Sequence, residues 1–134
     1  MNTVKQNEAT KKKGPAKDVF NKFQFSFQGL AYCFKNETSF IFESIAVIGA
    51  IILGILFHIE PLEWLFSLGS IFLIMAIEAL NTAIECVVDM VCPEYNPLAG
   101  AAKDCGSAAT CISTFLAGAA NAVVFIPYII EFFK

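Results

Sequence analysis

The chain contains no arginine, a single histidine and a single tryptophan, and charged residues make up only 16% of its 134 positions. Against 57% hydrophobic residues and a mean hydropathy of +0.64, so little charge excludes an ordinary soluble domain of this size and points to a membrane protein. Cysteines 33, 86, 92, 105 and 111 form no Cys-x-x-Cys pair, and their two gaps of six do not suit zinc, so free thiols acting as small packing residues are expected. No GxxxxGK(S/T) loop and no GxGxxG loop with a catalytic segment is present, which excludes the familiar soluble nucleotide-binding kinases. No apolar run follows the amino-terminal lysines directly, so no signal peptide is expected.

Long apolar runs are missing too, since no 18 consecutive residues are wholly apolar, and spans must be sought where charge is absent. Three segments qualify, predicted at 38–58, 62–92 and 98–132. The first holds an apolar run from Ile45 to Phe57, with Glu43 near its start and His58 at its outer boundary. The second is charge-free between Glu63 and Glu78 and stops at Cys92 and Pro93, too long to lie wholly in lipid. The third follows Asp104, carries no charge over the 26 positions before Glu131, and contains Pro127 as a candidate kink.

Ahead of the spans, residues 1–17, with Lys11, Lys12 and Lys13 before Gly14 and Pro15, cannot bury a core and are expected to be a disordered basic tail. The single membrane domain then covers 18–134. Within 18–36, Phe20, Phe23, Phe27, Leu30 and Phe34 recur at spacings of three and four, the pattern of an amphipathic helix on a membrane surface; an extra buried helix is the alternative. Residues 1–37 hold seven lysines against Glu8, Asp18 and Glu37, whereas the first connection holds His58, Glu60 and Glu63 and no lysine. The positive-inside rule therefore puts the amino terminus and the 93–104 connection in the cytoplasm.

Chemistry concentrates in EALNTAIECVVD, residues 78–89. At about 100° per residue, Glu78, Asn81, Glu85 and Asp89 fall within roughly 80° of one another on one helix face. Ionisable groups in a span are expensive unless paired, metal-bound or solvated, so the row implies a site or partners across a helix bundle. Counting about 1.5 Å per residue from Trp64 through a core of about 30 Å, Glu78 lies near 21 Å and Glu85 near the cytoplasmic edge. A lipid hydroxyl would meet Glu78, a candidate general base, and a nucleotide's magnesium would meet Glu85. Asn36, Glu37 and Glu43 flank the first span at the same level, where a carboxylate could complete a magnesium site or, for Glu43, simply suit the helix dipole. Lys103 and Asp104 open the third span after PEYNPLAGAA, whose small residues allow close backbone approach; Lys103 could hold a phosphate or snorkel to the surface.

EALNTAIECVVD, the PEY of Pro93 to Tyr95 and the AKDCGSAA of Ala102 to Ala109 together resemble the prokaryotic diacylglycerol kinase family, which includes undecaprenol kinases, over about Phe20 to Phe125. The resemblance implies an all-α integral membrane protein: three transmembrane helices preceded by an amphipathic surface helix, assembling as a homotrimer with active sites shared between subunits. It implies a lipid kinase of the bacterial cytoplasmic membrane, with ATP as donor and Mg2+ as cofactor. Glu78 would be the base with Asn81 beside it, Glu37 and Glu85 the metal ligands, and Asp89, Glu94, Lys103 and Asp104 the nucleotide side. Ser26, Gly29, Asn36 and Glu43 would line the lipid substrate. Asp18, Phe27, Gln28 and Asn96 depart from the best-known diacylglycerol kinase type, which has arginine, tryptophan, lysine and histidine there.

EWL at Glu63 to Leu65, LNTAIE and PEYNPLA resemble the undecaprenol kinase branch, and KDCGSAA the diacylglycerol kinase branch, which is favoured. No nucleic-acid partner is expected. A non-enzymatic channel or transporter is the competing class, but it would need polar groups through the full depth of the spans, and the outer halves offer little besides Ser67, Ser70, Ser113, Thr114 and Asn121.

Overall fold

The computed structural model describes residues 15–134, with side chains from Val19 onward; the tail expected over 1–17 and the departure at Asp18 lie outside the described residues in whole or in their side chains. The chain is all-helical: α1 (Pro15–Asn36), α2 (Thr38–Phe57), α3 (Pro61–Val91) and α4 (Pro97–Phe132). It divides between Tyr32 and Cys33 into two compact units. In the first, α1 exposes Phe20, Phe23, Phe25, Phe27, Leu30 and Tyr32 together with Lys22, Gln24 and Gln28.

The second unit contains the three helices long and apolar enough to cross a membrane. At about 1.5 Å per residue, α2 just matches a hydrocarbon core of about 30 Å, and α3 and α4 exceed it. Because α3 and α4 are joined through residues 92–96, their surplus turns project together from the side opposite the α2–α3 turn.

That turn is short and tightly tied. His58 takes the left-handed conformation (φ 52°), and the His58 and Ile59 amides donate to the Ile55 and Gly54 carbonyls at 3.4 and 3.2 Å, closing α2 in a Schellman motif. Pro61 opens α3, and the Glu60 amide donates to Glu63 Oε2 at 2.8 Å. The same oxygen accepts from the Tyr128 hydroxyl at 2.7 Å, fastening the start of α3 to the far end of α4. Ala50, Ile59, Ile71, Val124 and Phe125 form the core beside this end, with Trp64, Phe57 and Tyr128 packed on it. Gly54 is needed there, because a Cβ would stand 2.5 Å from the Trp64 ring.

One polar knot interrupts the apolar packing of α3 on α4. Asn121 Oδ1 accepts from Ser67 Oγ at 2.7 Å, and its Nδ2 donates to the Ala117 carbonyl at 2.9 Å and Ser70 Oγ at 3.3 Å. Ser113 and Thr114 spend their hydroxyls on carbonyls of their own helix. These groups are therefore satisfied within the bundle.

Candidate active site

The half of α3 nearer the 92–96 connection carries the acidic row. Glu78 is 7% exposed, and among the described residues its carboxylate has no hydrogen bond or ion pair; Thr82 Oγ1 donates at 3.0 Å to the Glu78 carbonyl instead. One turn on, Asn81 Nδ2 donates to Glu85 Oε1 at 3.2 Å. Asn81 Oδ1 is buried and has no hydrogen-bond partner among the described residues, and it occupies the space where a Cβ on Gly106 of α4 would stand. At the exposed end, Lys103 Nζ reaches both carboxylate oxygens of Asp89, at 2.9 and 3.1 Å. Neither partner is deeply buried, so the pair fixes the lysine's direction more than it stabilises the fold.

Glu43 lies in the second turn of α2, beyond the first-turn reach of the helix dipole, so the dipole alternative does not apply to it. Its Oε2 is buried and, among the described residues, has no hydrogen-bond partner. It stands at the wall of a cavity of about 470 Å³ between α2, α3 and α4, whose other lining includes Ala46, Gly49, Ile74, Ala117 and Asn121. Glu37, the one residue between α1 and α2, is extended (φ −112°, ψ 114°) and makes no side-chain cap, so its carboxylate is uncommitted among the described residues. Beside it, burial and the Glu37 charge push the Cys33 thiol up from its ordinary pKa, which keeps it protonated and weakly nucleophilic.

The remaining sequence candidates are more loosely placed. Glu94 and Asp104 are exposed, as is Asn36, which has an interaction within the structure. Asn96 Oδ1 accepts from the Leu98 amide at 2.9 Å, capping α4 ahead of Pro97. In the first unit, Ser26 Oγ donates to the Lys22 carbonyl at 2.9 Å and Gly29 meets nothing a side chain would disturb. Gly100 likewise has open space, so the close approach expected from the loop's small residues falls at Gly106 instead. None of the five cysteines, all among the described residues, forms a disulfide; Cys33 is the only buried one, and Cys86, Cys105 and Cys111 are exposed rather than packed.

Three helices long and apolar enough to cross a membrane, with Glu78 among the apolar residues of the middle one and further acids and Lys103 toward its exposed end, define the candidate site. Residues 24–125 match the family model described as prokaryotic diacylglycerol kinase. The chain is 38% identical over 93 residues to a diacylglycerol kinase of Escherichia coli strain K12, covering 69% of this chain and 76% of that one. It is 38% identical over 102 residues to a diacylglycerol kinase of Haemophilus influenzae, covering 75% and 85%. To an undecaprenol kinase of Bacillus subtilis it is 31% identical over 108 residues, covering 81% and 88%. The chain belongs to the prokaryotic diacylglycerol kinase family.

Proposed function

We propose that this chain is a lipid kinase that transfers the γ-phosphate of ATP to the hydroxyl of diacylglycerol, giving phosphatidic acid and ADP. Family membership makes it a phosphotransferase acting on a lipid alcohol with ATP as donor. Diacylglycerol is the preferred alcohol because two diacylglycerol kinases reach 38% identity and the undecaprenol kinase 31%. Undecaprenol, giving undecaprenyl phosphate, is the second reading, favoured by the longer alignment to that relative.

The observation that carries the mechanism is the buried residue Glu78, its carboxylate unpaired among the described residues, on the same helix face as Asn81, Glu85 and Asp89. The lipid hydroxyl oxygen attacks the γ-phosphorus as its proton passes to Glu78; the bond to the β–γ bridging oxygen breaks, and ADP leaves with that electron pair. Transfer is in line and forms no covalent enzyme intermediate, so positioning and charge neutralisation supply the acceleration. Lys103, aimed by Asp89, offers its ammonium to the phosphates, with Glu94 and Asp104 on the nucleotide side. Ser26, Gly29, Asn36 and Glu43 serve the lipid side.

Magnesium is held in such sites by one or two carboxylates, retained waters and the substrate's own phosphates. The uncommitted Glu37 and the Asn81-oriented Glu85 fit that donor set, and among the described residues no three acidic, histidine or cysteine groups gather into a closed cage. When bound, the ion would neutralise charge developing on the transferred phosphoryl group.

The active form is a homotrimer with sites shared between subunits in a bacterial cytoplasmic membrane, α1 lying on the cytoplasmic surface. Supporting this, one subunit leaves a broad apolar surface exposed, Ile45, Ile52, Leu65, Phe72 and Phe115 among it, for lipid and neighbouring subunits to cover. The test is phosphorylation by the purified protein in lipid bilayers, with ATP, magnesium and either diacylglycerol or undecaprenol. Phosphatidic acid is expected as the faster product; failure to phosphorylate either alcohol overturns the proposal.

A further inference from the structure

Gly106 lies in the interior of α4, where glycine weakens a helix relative to alanine, so its presence calls for a local reason. Gly100 and Gly118 on the same helix offer no comparable reason, since a Cβ on either meets nothing within 4 Å. At Gly106 a Cβ would collide with Asn81 Oδ1 and would also stand 3.2 Å from Asn81 Cγ. What crowds this glycine is thus neither backbone nor core, but the tip of one polar side chain from the acidic face of α3.

The collision matters because of what the other end of the same amide does. Asn81 Nδ2 donates to Glu85 Oε1 at 3.2 Å, and an ionised carboxylate accepts only, so the amide has one useful orientation, with Oδ1 toward Gly106. Oδ1 has no hydrogen-bond partner and gains nothing there except room. A methyl group at 106 would be accommodated at little cost to the fold by rotating the Asn81 side chain, and that rotation carries Nδ2 away from Glu85.

We infer that Gly106 is a positioning residue of the phosphotransfer site: the absent Cβ is the space that lets Asn81 hold the Glu85 carboxylate. This rests on the reading that Glu85 carries the magnesium of the nucleotide. Gly106 touches no reacting group and acts only through Asn81.

The experiment compares wild type, Gly106→Ala, Asn81→Ala and the double variant in lipid bilayers, measuring turnover, the magnesium concentration for half-maximal rate, lipid KM and thermal unfolding. Loss of a hydrogen bond to a charged group should lower turnover in Gly106→Ala roughly ten- to hundredfold and raise its magnesium requirement, with lipid KM unchanged. A merely structural defect would lower the active fraction without moving the magnesium requirement, and that result overturns the inference. In the Asn81→Ala background the colliding oxygen is gone, so adding Gly106→Ala should change turnover by less than about twofold, and additive losses overturn the inference. Gly100→Ala, with open space around it, serves as the helix-propensity control and should behave as wild type. Should Gly106→Ala fail to fold, recovery of folding in the double variant supports the coupling and its absence overturns it. A wild-type protein inactive on both alcohols would remove the kinase reading itself, and the unfolding half of the same cycle would still decide the steric one.

Discussion

Replacing Glu78 with glutamine separates chemistry from folding more cleanly than any other substitution in this chain. The residue is 7% exposed and, among the described residues, its carboxylate has neither a hydrogen bond nor an ion pair to lose. Glutamine keeps the shape and removes an ionisable group from a span, a place where ionisable groups destabilise, so stability should hold or rise. Turnover should move the other way. Loss of a positioned general base lowers rate by about 10² to 10⁴, equivalent to about 3–5 kcal/mol of barrier. ADP release in bilayers saturated with diacylglycerol reads the rate, ATP titration reads KM, and thermal unfolding in the same bilayers reads the fold. Normal ATP KM with lost turnover is the expected pattern. Near-normal turnover in folded protein would remove Glu78 from the chemistry and leave the acidic row as a structural stripe; a loss of ATP affinity matching the loss of rate would move it to the nucleotide site.

Glu37→Gln and Glu85→Gln should each cut turnover and raise the magnesium concentration needed for half-maximal rate while the oligomer survives; unchanged magnesium dependence in Glu85→Gln refutes its role as ligand. On a background cleared of the five native cysteines, a membrane-impermeant thiol reagent applied from outside should label a cysteine replacing Glu60 but not one replacing Asn96. Outside labelling at position 96 would reverse the orientation and separate the site from cytoplasmic ATP. Asn121→Ala removes the hub of the knot with Ser67 and Ser70 and should lower stability by about 1 kcal/mol, since hydrogen bonds between membrane helices contribute less than their desolvated setting suggests. A change in turnover per folded molecule in that variant would contradict a purely structural knot.

The three spanning helices are legible because lipid imposes one coarse demand, the absence of charge over enough residues, and that demand is written residue by residue. The acidic row is legible for a related reason: Glu78, Asn81, Glu85 and Asp89 share a helix, so the 3.6-residue period fixes their common face before any tertiary contact is known. Relations across helices are another matter. Asn121 and Ser67 stand 54 positions apart, and nothing in either segment encodes the register that sets them 2.7 Å from each other. Gly106 could be read only as a small residue until Asn81 was seen above it. Asp89 and Lys103 both belonged to the nucleotide side, but that one ammonium takes both oxygens of the other depends on how far the 92–96 connection turns α4 back along α3. Glu43 was ambiguous because a second-turn acid and a first-turn acid differ by a helix boundary, which sequence locates least well.

The two ends of the spanning unit are built to opposite standards, and the contrast bears on how a small protein can keep carboxylates in a membrane. At the α2–α3 turn, polar groups are spent: Glu63 is taken by the Glu60 amide and the Tyr128 hydroxyl, and Phe57 stacks on Tyr128 with centroids 5.9 Å apart over the aliphatic core. Toward the other end, the carboxylates of Glu78 and Glu37 and the Oδ1 of Asn81 are left without hydrogen-bond partners among the described residues. An unsatisfied group is tolerable only where the surrounding structure is held by something else, and the closed end supplies that hold by fixing the rotation and register of α3 on α4. Because α3 is one continuous helix from Pro61 to Val91, a register set by Ser67 and Trp64 is transmitted along the axis to Glu78 and Glu85. Stability and, on the proposed mechanism, chemistry therefore sit on the same helix at different heights. Substitutions near the turn should be read in unfolding, and those along the row in rate, with Gly106 the point where a change invisible to the first is felt by the second.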